Sequence, residues 1–202
     1  HSPIKVAVDP VGMHTAVLEL IERKEAQIGA IGTLDLVPYW RGKDFWKGRP
    51  QAVLAGITTV RMYTLVHTTP KSGIKKVQDL RGKRLLGNAL PSPSVVAYTD
   101  ALLKAYNMTR KDVKLMEFNK APDAVASLIE GRADAYIYPS SSPPMQQLKT
   151  TAGYYAVPVE PGPAKKMLET LYGYTYETMP AGYNGVVEQD TPALAYYTTI
   201  FF

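Results

Sequence analysis

The sequence contains no cysteine and has only three histidines, His1, His14 and His67, among its 202 residues. The absence of cysteine excludes a thiol nucleophile, a thiolate metal site and a disulfide, and it fits any cellular compartment, an oxidising one included. The motifs of nucleophile-elbow hydrolases, zinc proteases, P-loops and dinucleotide-binding loops are also missing. We therefore expect a protein that is not an enzyme and that needs no cofactor or metal.

The sequence also lacks a membrane-spanning hydrophobic run, a signal peptide and any run of more than two basic residues. Lysine and arginine number 23 against 18 aspartate and glutamate, which gives a net charge of +5. This small, dispersed excess disfavours a nucleic-acid surface and suits an anionic small ligand. Because a secreted protein loses its signal peptide on processing, the missing signal leaves localisation open.

Both ends of the sequence have the character of buried segments. The chain enters the strand pattern 4–8 almost at once, and it stops within the apolar segment 196–202. Natural termini are usually exposed and polar. We therefore expect the sequence to be an internal segment of a longer chain.

Strand and helix patterns alternate along the chain. Strands are predicted at 4–8, 26–31, 52–58, 61–68, 83–88, 114–118, 133–138 and 154–159, with a strand-like tail from 174. Helices are predicted at 14–24, 33–40, 93–106, 122–131, 145–150 and 163–172. Strands that alternate with helices predict an α/β fold with mainly parallel sheets, and the break at 69–73 predicts two lobes with a cleft between them.

Polar residues follow several of the predicted strands. They lie at 12–14, 32–33, 88–94 and 139–142, and in the third of these loops Ser92 and Pro93 fit the cap and first position of a helix. Hydroxyls and free N–H groups at helix starts bind polar or anionic ligands, and none of them activates a nucleophile. Arg61 adds a fixed positive charge and Tyr63 an aromatic wall. The sequence therefore predicts a binding site for a small anion.

A succession of short motifs resembles the TAXI family of TRAP-transporter solute receptors. The segment 72–84 (SGIKKVQDLRGKR) is similar to a segment of periplasmic solute-binding proteins, and 124–135 and 179–183 (MPAGY) are similar to later motifs of the TAXI family. Upstream, 25–29 and 45–50 resemble two further family motifs. The resemblance covers nearly the whole chain in order.

The resemblance implies a type II-like periplasmic-binding-protein fold in which two α/β lobes close on a ligand. Lobe 1 would comprise residues 1–68 and 187–202, and lobe 2 residues 69–186, with hinges near Thr68–Thr69 and at 184–190. The implied ligand-facing residues are Gly12, Met13, His14, Thr33, Leu34, Arg61, Tyr63, Asn88, Ala89, Ser92, Ser94, Tyr138, Ser140, Ser141, Ser142 and Tyr183.

The chain departs from the family pattern in the loops that face the ligand. By this resemblance, the first strand and glycine-rich helix start of the family would precede His1, and the C-terminal segment of the family would continue beyond Phe202. The residues 12–16 (GMHTA) and 92–94 (SPS) replace two family motifs. These differences concern the identity of the ligand more than the fold.

The expected function is a periplasmic receptor that captures a carboxylate-type organic anion by lobe closure. The receptor would deliver its solute to a TRAP-type membrane permease, would meet the membrane only through that transporter and would bind no nucleic acid. Two other binding roles stay open, a receptor for an ABC importer and the effector-binding domain of a transcription regulator. An enzyme on this scaffold would need a catalytic Thr, His or Cys in the cleft, for which His14 is the candidate.

Overall fold

The structure is a computed structural model that describes residues 14–43, 47–48, 56–89, 92–140 and 142–201, without the side chains of residues 14, 15 and 142. The helices are α1 His14–Glu22, α2 Thr33–Trp40, α3 Pro93–Ala105, α4 Ala121–Ile129, α5 Ser142–Ala152 and α6 Pro161–Leu168. The strands are β1 Gly29–Gly32, β2 Ile57–Thr68, β3 Arg84–Ala89, β4 Lys114–Phe118, β5 Ala135–Pro139, β6 Tyr155–Val157, β7 Thr175–Met179 and β8 Thr191–Phe201. The strand predicted at 4–8 lies outside the described residues.

One sheet connects all of these strands, in the order β1-β8-β2-β5-β3-β4, with β6 also paired to β2 and β7 to β8. Helices and strands alternate along the chain, so the α/β class is confirmed. The prediction of mainly parallel sheets is wrong. Among the described strands, β3 is parallel to β4 and β5, and the other five pairings are antiparallel. The reason is that β2 and β8 run against all of their neighbours.

Buried apolar side chains form two clusters. The small cluster consists of Leu18, Ile31, Leu36, Tyr39 and Phe201. The large cluster covers both faces of the sheet around β3, β5 and the second half of β2. β2 is exposed over residues 57–61 and buried from Tyr63 onward, because from there neighbouring layers cover both of its faces. The division into lobes 1–68 plus 187–202 and 69–186 stays a prediction.

β2 corrects the expectation of two strands at 52–58 and 61–68. The described part is one strand from Ile57 to Thr68, and its register against β8 shifts between Thr58 and Arg61. Such a bulge interrupts the side-chain alternation without ending the strand. No helix in the described part of the chain is long and apolar enough to cross a membrane.

The topology gives the sheet two distinct edges. β3, β4 and β5 end at one edge, here called the upper edge, where α3, α4 and α5 begin shortly after them. The same strands start at the lower edge. β2 pairs Thr64 with Pro139 at the end of antiparallel β5. Arg61 to Tyr63 therefore extend past the end of β5 into the upper edge.

Candidate functional site

Ser140 lies at the upper edge, directly after β5 and just before α5. Its side chain is fully buried, and its Oγ has no hydrogen-bond partner among the described residues. Its backbone N–H donates to the Tyr63 carbonyl at 2.6 Å. A buried hydroxyl without a partner is costly, and the first N–H groups of a helix have no partner within the helix. The start of α5 therefore offers hydrogen bonds to a ligand, an anion in particular.

The turn formed by Tyr183 and Asn184 closes over this position. The Asn184 side chain donates to the Ser140 carbonyl at 3.3 Å, and the Tyr183 hydroxyl donates to the Arg61 carbonyl at 2.9 Å. Asn184 has a φ of 53°, in the left-handed region that asparagine tolerates well. The Gln146 side chain of α5 donates in turn to the Asn184 carbonyl at 3.1 Å. These bonds fix the turn to β2, β5 and α5 together.

Arg61 places a fixed cation beside this turn. Its Nε lies 3.0 Å from a Glu177 carboxylate oxygen and 3.1 Å from the Tyr197 hydroxyl. The Tyr63 and Tyr197 hydroxyls and the Glu177 charge raise the pKa of the guanidinium. The Arg61 side chain remains half exposed. Its charge is therefore partly balanced within the protein and still accessible at the upper edge.

Tyr63, expected as an aromatic wall, is 1% exposed. Its hydroxyl donates to the Thr178 carbonyl at 3.3 Å, and its ring contacts Tyr183 edge to face with centroids 5.0 Å apart. The ring that reaches the partly exposed surface is therefore that of Tyr183. Tyr63 supports it from the interior.

A second aromatic group lies beneath the end of β5. The Tyr138 ring stacks on Tyr136 with centroids 5.4 Å apart, and Phe118 meets the Tyr136 ring edge to face at 4.9 Å. Burial raises the pKa of Tyr138. The Tyr136 hydroxyl is buried and, like Ser140 Oγ, has no partner in the described part of the chain. The face of the sheet below the site is thus aromatic and holds one buried hydroxyl, that of Tyr136, without a partner among the described residues.

His67 lies fully buried in the same face of the sheet. Its Nε2 is 2.9 Å from the Tyr138 carbonyl, and its Nδ1 is 2.9 Å from the Tyr154 hydroxyl. Because the carbonyl can only accept, Nε2 carries the proton and Nδ1 accepts from the hydroxyl. Burial lowers the pKa of His67 to about 4. His67 is therefore a neutral structural residue.

The start of α3 lies at the same edge, after β3. Ser92 occupies the cap position, but its side chain makes no capping bond and instead lies 3.1 Å from Ser94, oxygen to oxygen. Asn88 donates to Glu117 of β4 at 3.0 Å, and Ala89 is buried. The predicted cap position is therefore right, whereas the predicted cap hydrogen bond is absent from this described segment.

The start of α2 is held by Thr33. Its hydroxyl donates to the Gly173 carbonyl at 2.7 Å and accepts from the Tyr197 N–H at 3.1 Å. Gly173 has a φ of 78°, and a Cβ there would stand 2.1 Å from the Thr33 carbonyl oxygen, so only glycine allows this contact. Leu34 is buried. The Thr33 hydroxyl thus joins the start of α2 to β8 and to the loop before β7.

The structure brings Arg61, Tyr63, Ser140 and Tyr183 into one network, with Tyr138 beside it. We call these five residues and Asn184 the upper-edge site. Gly12, Met13 and Ser141, with the side chains of His14 and Ser142, lie outside the described residues. Asn184, Glu177 and Tyr197 were missed by the sequence analysis. The one signal for them was the position of Asn184 next to Tyr183 in a turn rich in glycine.

Other candidate features lie apart from the upper-edge site. The described residues contain no cluster of His, Asp and Glu that could hold a metal ion. An open groove of about 360 Å³ is lined by residues 154–156, 187–189 and 191. None of these residues was predicted to face a ligand, so the groove is separate from the predicted site.

Comparison with protein families shows the family of the chain. The model of the NMT1-like family matches residues 5–201. The chain belongs to the NMT1-like family. No curated protein matches its sequence significantly. The finer assignment to the TAXI receptors stays a prediction.

Solved structures share the fold of this NMT1-like chain. The periplasmic aliphatic sulphonate binding protein SsuA from Escherichia coli superposes with a TM-score of 0.51 at 17% identity, over 74% of this chain and 44% of SsuA. The substrate-binding domain of a molybdenum ABC transporter from Clostridium difficile gives 0.51 at 14% identity, over 93% and 69% of the two chains. A periplasmic transporter gives 0.54 at 13% identity, over 92% and 61%.

These matches show that the NMT1-like chain has the fold of periplasmic solute-binding proteins. The predicted periplasmic-binding-protein-like architecture is thereby confirmed. The match covers less than half of the Escherichia coli protein. The activity, solute and partners of the whole protein are therefore matters for proposal.

Proposed function

We propose that this chain is part of an extracytoplasmic receptor that binds a small organic anion at the upper-edge site. The observation that carries this proposal is Ser140. Its hydroxyl is fully buried without a partner in the described structure, and it lies at the start of an 11-residue helix. A ligand that hydrogen-bonds this hydroxyl and the helix N–H groups removes their unsatisfied state.

The charge distribution supports an anion rather than a neutral solute. Arg61 is half exposed beside the site, and the helix start adds partial positive charge. A carboxylate has two oxygens to share between the helix start and the guanidinium. We therefore propose a carboxylate-type solute. The family and fold support a binding protein, and we propose that the chain is not an enzyme.

Ligand capture would proceed by closure of the two predicted lobes. β2 and β8 are neighbouring antiparallel strands that extend from the small cluster to the large one. Arg61 and Tyr197 are paired at the point where these two strands pass from one cluster to the other. A solute that contacts residues on both sides of this point binds the closed form more tightly than the open form. This difference in affinity drives closure.

The partner would be a membrane transporter that accepts the solute from the closed receptor. We propose a TRAP-type permease, on the resemblance of 124–135 and 179–183 to TAXI receptors. A second candidate is an ABC importer, because the described molybdenum-transporter domain from Clostridium difficile shares the fold over 93% of this chain. Neighbouring genes separate the two, since an ATPase gene favours the importer.

Calorimetric titration of the purified protein tests the solute class. The panel comprises monocarboxylates, dicarboxylates, alkyl sulfonates, neutral sugars and amines. We expect a carboxylate to bind and the neutral and cationic compounds not to bind. Binding of sulfonates alone would overturn the proposal of a carboxylate solute but would support an anion receptor. Binding of neutral or cationic solutes alone would overturn the anion proposal.

Two arginine variants test the site itself. Arg61→Ala should weaken binding of the anion found in the panel about tenfold, because it removes the exposed charge. Arg132→Ala is the matched control, since Arg132 is exposed at the lower edge, in an ion pair with Glu130. Equal affinity of the Arg61 variant and the native protein would exclude Arg61 from the site.

A further inference from the structure

The lower edge of the sheet carries the positive charge of the molecule. The segments 69–84, 107–114 and 130–134 contain ten Lys and Arg and four Asp and Glu, a net charge of +6, whereas the whole chain carries +5. These segments precede β3, β4 and β5 or follow antiparallel β2. Backbone hydrogen bonds join them, from Gly82 to Asp112, Lys114 to Lys83 and Asp134 to Arg84. We call this surface the basic edge.

Arginines and lysines of the basic edge differ in their partners. Each arginine is bound by a carboxylate of the protein, in the pairs Arg81–Asp112, Arg84–Asp134, Arg110–Asp100 and Arg132–Glu130. Five exposed lysines have no carboxylate within ion-pair distance in the described part of the chain: Lys71, Lys75, Lys76, Lys111 and Lys114. The accessible charge is therefore that of flexible lysines, without the fork geometry of arginine.

The basic edge also lacks apolar anchors. Large exposed hydrophobic side chains in the described structure belong to the other end of the molecule: Ile28, Trp40, Ile57, Val60 and Ile200. Specific protein interfaces depend on buried aromatic, apolar or arginine anchors at their centre. An edge of unpaired lysines without such anchors fits a partner that offers many negative charges in no fixed arrangement.

We propose that the basic edge binds the phosphate headgroups of an anionic membrane surface. A bilayer that contains anionic lipid presents such a diffuse negative surface and attracts clustered lysines. The basic edge lies opposite the upper edge of the sheet. Binding there leaves the upper-edge site free, so this proposal does not depend on the identity of the solute.

Vesicle sedimentation tests this proposal with the purified chain. Vesicles of phosphatidylglycerol and phosphatidylcholine in equal parts are compared with vesicles of phosphatidylcholine alone. We expect binding only to the former, and release at high salt because salt screens the lysine charges. Absence of binding to the phosphatidylglycerol vesicles at low salt, or equal binding to both kinds, would overturn the proposal.

Paired lysine variants locate the binding surface. Lys75→Gln with Lys76→Gln, and Lys111→Gln with Lys114→Gln, should each weaken vesicle binding by about tenfold or more. The matched control is Lys165→Gln with Lys166→Gln, an exposed pair on α6 with the same loss of charge. Equal weakening by the control would show a general charge effect and overturn the assignment to this edge. Thermal unfolding verifies that each variant is folded.

A protein partner is the competing outcome. Bacterial membrane vesicles are treated with protease and compared with untreated ones and with pure phosphatidylglycerol vesicles. Binding that survives the protease treatment and is matched by the pure lipid supports the proposal. Binding that the treatment abolishes, with none to the pure lipid, would assign the basic edge to an acidic protein surface and overturn it.

Discussion

Polar groups at the two edges of the sheet differ in whether they find hydrogen-bond partners within the protein. At the lower edge, carboxylates accept from arginines and from backbone N–H groups, as Asp134 does from Arg84 and Asp112 from Thr109. At the upper edge, the buried Ser140 hydroxyl is left without a partner in the described structure. The carboxylates of the lower edge find their partners within the protein, whereas the Ser140 hydroxyl of the upper edge finds none among the described residues. This difference in hydrogen bonding distinguishes the carboxylates of the lower edge from the candidate site at the upper edge of the same sheet.

Acid should destabilise the whole fold through His67, which is fully buried in the sheet. The unfolded chain binds a proton near pH 6.5, whereas the folded chain binds it only near pH 4. The free energy of unfolding should therefore fall by about 3 kcal/mol as the pH drops through this window. Urea unfolding at several pH values measures it. His67→Gln should flatten the slope over this range, and an unchanged slope would contradict the assignment.

Asp134→Ala should damage the lower edge alone. The carboxylate accepts from the Arg84 backbone N–H at 2.8 Å and from the Arg84 guanidinium at 3.0 and 2.7 Å, and these bonds lower its pKa. Their loss should reduce the free energy of unfolding by about 2 kcal/mol and leave solute affinity unchanged. Asp100→Ala, in the more exposed pair with Arg110, should cost about 0.5 kcal/mol. An equal loss of unfolding free energy in the two variants would contradict the expected difference between the partly buried Asp134 pair and the exposed Asp100 pair.

Ser140→Ala should have the opposite effect. The hydroxyl has no protein partner, so the free energy of unfolding should change by less than about 0.5 kcal/mol, while solute affinity falls about tenfold. Thr99→Val is the comparison, because the buried Thr99 hydroxyl donates to Gly87 and Val95. That variant should lose stability and keep its affinity. The two edges would not differ as described if Ser140→Ala lost stability instead.

Glu177→Gln should give the smallest effect, a rise of about threefold in affinity for the anion. The substitution removes the charge that pairs with Arg61 and makes the guanidinium more available to the solute. Calorimetry measures the change, and Glu130→Gln, which releases Arg132 at the lower edge, is the control. Weaker binding would mean that Glu177 is needed to hold Arg61 in position.

Local signals allowed much of the fold to be predicted. β4 matches its predicted range, and α3 differs by one residue, because Pro93 and the apolar spacing mark it clearly. α5 begins three residues before the predicted Met145, since Pro143 and Pro144 fit the first turn of a helix and do not interrupt it. The direction of strand pairing was not predictable in this way. It depends on distant partners, such as β8 beside both β1 and β2.

The site was predictable to a similar extent. Ser140 follows a strand in a polar run, which local reasoning detects. The burial of Tyr63 and the pairing of Arg61 with Glu177 arise from contacts over more than a hundred residues, and no local pattern encodes them. Sequence reasoning therefore indicated which strand ends carry the candidate residues, but not the internal partners of these residues.

The contact between Thr33 and Tyr197 joins positions 164 residues apart in the chain. α1, β1 and α2 are synthesised before β8, which pairs with β1 and follows it by about 170 residues. Contacts of such separation form slowly. The large cluster, which contains residues from Tyr63 to Ala195, also includes the first half of β8. α1, β1 and α2 therefore cannot complete their contacts with the sheet before β8 has been made.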